Sequence, residues 1–134
     1  MSIRHSAAER WEARLRELFI ELDRVLEQDF AGRLPLPPNR PAPGQTADPE
    51  SDGLFNIGAA FSPGYGSRHG PGYVVDIQIR SIAPIPTELR ERIEHRVVEW
   101  LRRRLPEQFP NAQLEVVRDG PVWKIVGDLS LGKT

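Results

Sequence analysis

Tyr65, Arg68 and His69 fall within the stretch PGYGSRHGPG, Pro63 to Gly72, which also holds four glycines. Glycine lets backbone amides turn outward, so an aromatic, a cationic and a titratable side chain on such a loop suit an anion or small-ligand site. The stretch stands between two strand-like runs and opens no helix, so no helix dipole would assist. A mobile hairpin tip accounts for the same residues. Arg102, Arg103 and Arg104 are the dense basic cluster and could meet a phosphate-rich or acidic surface. They close a helical run that opens with Glu88 and Glu91, the charge order a helix dipole favours, and Glu99 stands one turn before Arg103.

The closing residues GDLSLGKT fit G-x-x-x-x-G-K-[ST] through Gly127, Gly132, Lys133 and Thr134, and so resemble a nucleotide-binding P-loop. That device needs a helix after the loop, whose free amides surround the phosphates. The sequence stops at Thr134, and Asp76 lies inside the run YVVDIQIR instead of closing a strand as a magnesium ligand would. Nucleotide binding is therefore the least favoured reading. His5, His69 and His95 show no metal-ligand spacing and cysteine is absent, so neither a metal nor a cofactor is expected. Serines lack a G-x-S-x-G context, which leaves nucleophilic catalysis without a foothold. Asp76, near Gln78 and Arg80, is expected in a cross-strand ion pair rather than in acid–base work.

Eighteen basic residues against 19 acidic ones leave a formal net charge of -1, which argues against DNA or an anionic membrane as a bulk partner. The charged N-terminus has no secretory core, and no apolar run reaches spanning length, so a soluble cytoplasmic protein is expected. Of the basic residues only Lys124 and Lys133 are lysine. Such an arginine bias is expected of a GC-rich genome, hence a bacterial chain.

Elements must position these groups. From about Ser6 to Asp29, Ala8, Trp11, Leu15, Leu18, Leu22 and Val25 recur at helical spacing, widened by Phe19 and Leu26. Ser6 and Glu9 read as a capping box, and Ile20, off the stripe, as an exposed residue or a dimer contact. Residues 33–53 are rich in proline, glycine and small polar residues and read as a mobile connector. Within them Pro35, Pro38 and Arg40 match P-x-x-P-x-R and resemble a Src-homology 3 ligand, although a connector suffices to explain them.

LFNIGAAFS reads as a strand with Phe55, Ile57, Ala59 and Phe61 on one face; YVVDIQIRSI follows, with Tyr73, Val75, Ile77 and Ile79 on its apolar face. Thr87 opens a second helix with the stripe Leu89, Ile93, Val97, Trp100, Leu101 and Leu105, ended by Pro106. LEVVRDGPVWKIVGDL reads as a hairpin turning at Asp119-Gly120, with Trp123, Ile125 and Leu129 on one face. Trp11, Trp100 and Trp123 are expected to converge in the core, or around a pocket between helices and sheet.

The expected architecture is a single α+β domain over residues 1–134, in the order α-β-β-α-β-β. A three- or four-stranded, mainly antiparallel sheet carries two helices on one face. The expected function is a small non-enzymatic interaction or adaptor domain, its partner a protein or a second copy of itself. Alternatives are a small-ligand or anion-binding domain using Tyr65, Arg68 and His69, and nucleotide binding through the terminal residues.

Overall fold

The computed structural model describes residues 3–34, 54–64, 67, 69–81 and 83–127. The first helix, α1, spans Ile3–Phe30, and Trp11, Leu15, Leu18, Phe19, Leu22, Leu26 and Phe30 form its buried stripe. Because the helix begins at Ile3, Ser6 lies inside its first turns and is not the cap that the sequence suggests. A short 3-10 turn, Ala31–Arg33, brings Leu34 into the core. The rest of the proline-rich connector, with Pro35, Pro38 and Arg40, lies outside the described residues.

Strands β1 (Phe55–Ser62) and β2 (Gly72–Ile79) pair antiparallel in the register Phe55↔Ile79 to Ser62↔Gly72. This register stacks the two apolar alternations on one face. The second helix, α2, spans Thr87–Gln108 and buries Ile93, Val97, Val98, Trp100, Leu101 and Leu105. Pro106 sits within its last turn instead of ending it, because proline there forfeits one hydrogen bond and Phe109 N–H still reaches Leu105 O at 2.8 Å.

Strands β3 (Glu115–Asp119) and β4 (Val122–Val126) close the chain's second hairpin. Asp119 remains in the ladder opposite Val122, so the turn is Gly120-Pro121, one residue later than expected. All four strands form one antiparallel sheet in the order β1-β2-β4-β3. The architecture is the expected α+β fold, with both helices against the apolar face. Leu22, Leu26, Ile93, Leu101, Leu105 and Ile125 are fully buried between the layers, each contributing about 1.5–3 kcal/mol over an exposed side chain.

Candidate functional site

The two edges of the sheet are finished differently. On β3, EVVRD, three of five residues are charged, and the Arg102 guanidinium donates two hydrogen bonds to Val116 O, at 2.9 and 3.3 Å. Charges and an occupied carbonyl are the features by which natural sheets blunt an edge. On β1, FNIGAAFS, there is no charge and no proline.

The direction of β1's main-chain groups follows from its register. Arg80 N–H bonds Leu54 O at 2.7 Å, so even-numbered residues face β2 and the odd-numbered Ile57, Ala59 and Phe61 direct N–H and C=O away from the sheet. Ile57 N–H is satisfied by Asp23 Oδ1 of α1 at 3.0 Å, and Leu54 N–H approaches Glu27 Oε2 at 3.4 Å. Past Asp23 this side-chain cover ends. The outward groups of Ala59 and Phe61 have no partner among the described residues.

Alongside this open segment runs a groove of about 320 Å³ between α1 and β1. Leu15, Phe19 and Ile20 form one wall, Ala59 and Phe61 the other, and Tyr73 the far end, with Asp23 closing the near one. Ile20 is thus half-buried on the groove wall and not simply exposed. Phe61 is the large apolar side chain left in water among the described residues, 57% exposed. It is held there by a line of rings: Phe61 meets Tyr73 edge-on at 5.6 Å, Tyr73 meets Trp11 at 4.8 Å, and Trp11 meets Phe109 at 5.4 Å. The Tyr73 hydroxyl reaches Glu12 Oε1 at 3.4 Å. Burial of the ring, and then the Glu12 charge and hydrogen bond, raise its pKa above the ordinary tyrosine value.

The glycine-rich loop is fastened to the opposite face of the sheet. Lys124, 2% exposed, places its three ammonium N–H groups on Asp119 Oδ2 (2.7 Å), Gly70 O (3.0 Å) and Ser67 Oγ (3.2 Å). Ser67 N–H bonds Gly64 O at 3.0 Å, and Gly70 N–H bonds Ser67 Oγ at 3.0 Å. Gly64, at φ +80, touches the returning leg so closely that a Cβ would stand 2.1 Å from the Gly70 carbonyl. The described part of this loop is therefore pinned, and Ser67 and Gly70 point their polar groups inward. His69 is exposed; Tyr65 and Arg68 lie outside the described residues.

The arginine triplet does not form one patch. Arg102 turns to β3 and lies over the Trp123 ring at 5.7 Å, whereas Arg104 turns to α1, pairing with Glu21 at 3.1 Å and Glu107 at 2.9 Å. Arg103 stays exposed, and Glu99 pairs with Arg96 at 3.6 Å rather than with Arg103. Trp11 and Trp100 are buried in the core and Trp123 packs half-buried against it; its Nε1–H donates to Glu94 at 3.2 Å, and Arg118 covers it at 5.3 Å. Asp76 faces Gly58 and accepts from Gln78 at 3.0 Å, and among the described residues it makes no cross-strand ion pair.

Of the terminal pattern only Gly127 is described. At φ +142 it passes the turn before β3, where a Cβ would lie 2.7 Å from Gln113 O, and that approach by itself requires glycine. Gly132, Lys133 and Thr134, like Leu129, lie outside the described residues. Among the described residues no helix is long and apolar enough to cross a membrane, and no cluster of three His, Asp or Glu could hold a metal.

Neither Asp23 nor the buried role of Lys124 is marked by a motif in the sequence. Asp23 follows Phe19 by one helical turn, on the flank of the buried stripe, where a carboxylate needs a donor to meet. Lys124 is one of two lysines among 18 basic residues, on the face of a strand where a solvated charge is the ordinary reading.

Comparison with known proteins places this chain in a family. A family model described as "Uncharacterised protein" matches residues 6–127. The chain belongs to that family. A relative from Borreliella burgdorferi, described as "Uncharacterized protein", is 39% identical over 108 residues, spanning 81% of this chain and 84% of its own. That relative is bacterial. No solved structure matches the chain.

Proposed function

We propose that the protein is a small non-enzymatic interaction module that takes an extended peptide strand along the open edge of β1. The observation that carries this reading is the contrast between the edges. β3 is charged and its outward carbonyl at Val116 is occupied, while β1 is uncharged and offers the N–H and C=O groups of Ala59 and Phe61. Strand addition of this kind draws affinity from main-chain hydrogen bonds and selectivity from pockets for alternate side chains. The groove between Ile20 and Phe61 supplies such a pocket. Asp23 sets the limit of the docking segment, because it already holds the next outward amide, that of Ile57.

A displayed library of random peptides tests the proposal, with selection on the parent protein and on Ala59→Pro. Proline at 59 removes an outward N–H and leaves the β1–β2 ladder intact, since edge positions tolerate it. Peptides with apolar residues at alternate positions should be enriched on the parent and lose at least about tenfold in affinity on the variant, roughly 1.4 kcal/mol. Binders indifferent to Ala59→Pro, in a variant whose circular dichroism matches the parent, would overturn the reading, as would failure to enrich any peptide.

A further inference from the structure

Resting on that reading of β1, we infer that the strand it takes is β1 of a second copy, joined antiparallel across a two-fold axis at Ala60. Outward groups on both copies fix the possible registers. Ile57 N–H is engaged by Asp23, so the free bonding residues are Ala59 and Phe61. A two-fold axis through Ala60 sets Ala59 of each copy opposite Phe61 of the other. Each such pair exchanges two hydrogen bonds, so four form without disturbing Asp23.

Side chains and charges fit this register. A two-fold axis brings each residue near its own counterpart, so a self-pairing strand cannot carry charge at its centre without repulsion, and β1 carries none. Facing the axis on the outer side is Ala60, small and exposed. On the helix side the exposed Phe61 ring of each copy meets a small residue on the groove wall of the other, Ala59, and enters beside Phe19 and Ile20. Large opposite small is how facing layers interdigitate. The groove rim carries both signs one turn apart on α1, Glu12 and Arg16, an arrangement that complements itself when inverted by the axis. The joined sheet would run through eight strands, with β3 at either end.

The chain has no cysteine, so one introduced thiol reports one contact. Ala60 and its symmetry mate form a non-hydrogen-bonded pair, about 4.5 Å apart at Cα, within disulfide range. Gly58 in this register faces residue 62 of the other copy and lies far from its own mate. Under mild oxidation Ala60→Cys should therefore link into a covalent dimer, and Gly58→Cys should stay unlinked. Sedimentation of the otherwise unaltered chain should show a dimer, weakened at least about tenfold by Phe61→Glu. Phe61→Glu replaces a side chain already in water, so the fold survives to be measured. A strict monomer up to about 0.1 mM, or equal linking of the two cysteine variants, would overturn the inference. If the monomer still selects peptides that Ala59→Pro rejects, the strand-docking reading stands without self-pairing.

Discussion

Asp23 on α1 accepts the amide hydrogen of Ile57 on β1 at 3.0 Å, a carboxylate standing where a neighbouring strand would offer a carbonyl. The residue is 9% exposed, so the bond is made largely out of water. Asp23→Ala would leave a buried amide unpaired, a loss of about 1–3 kcal/mol. Urea unfolding should show that loss, and Asp23→Asn, which keeps an acceptor oxygen, should recover part of it.

The Lys124–Asp119 pair, at 2.7 Å with side-chain exposures of 3% and 10%, holds the glycine-rich loop against the sheet. Lys124→Ala removes the buried ammonium from Asp119, Gly70 and Ser67 together and should cost about 3–5 kcal/mol. The double change Lys124→Met with Asp119→Leu should recover much of this, because it removes both charges together. Hydrogen exchange at Ser67 and Gly70 should accelerate in both proteins, since the tether from Lys124 is gone in each.

Gly127 and Gly58 make a matched comparison. A methyl at Gly127 would strike Gln113 O at a φ of +142, whereas one at Gly58 meets nothing within 4 Å. Gly127→Ala should lower stability by about 1–3 kcal/mol. Gly58→Ala should be neutral or slightly stabilising, as a strand interior prefers a side chain. Thermal melting of the two variants side by side decides it.

Tyr73 gives the protein an alkaline limit. Burial first, and then Glu12, raise its folded pKa above the unfolded value of 10.0, so the fold favours the protonated phenol. The corresponding stability is fully present below pH 10 and is lost as pH rises through the folded pKa. Ultraviolet titration should find one tyrosine ionising late, and Glu12→Gln should bring its pKa part of the way back. A Tyr73→Phe variant should lose the alkaline dependence.

Much of the fold was legible because burial writes a period into the sequence. The stripe of α1 from Trp11 to Leu26, and the alternations Phe55-Ile57-Ala59 and Tyr73-Val75-Ile77, are each set by one buried face. Strand order was not legible: the pairing of β2 with β4, Tyr73↔Ile125, joins residues far apart in sequence and leaves no local trace. Helix ends were not legible from one residue type alone, since Ser6 lies inside α1 and Pro106 inside α2. The candidate site was hidden for a different reason. An open edge is a property of what does not pair, and β1 has the same apolar alternation that any half-buried strand would have. Its lack of charge means something only beside β3, whose edge is charged, and that comparison requires the sheet order.

A sheet with one permissive border and one guarded border can be lengthened once and no further. A molecule added at the permissive border would bring its own guarded side outward, so growth by that route would end at a closed pair instead of running on into a fibre.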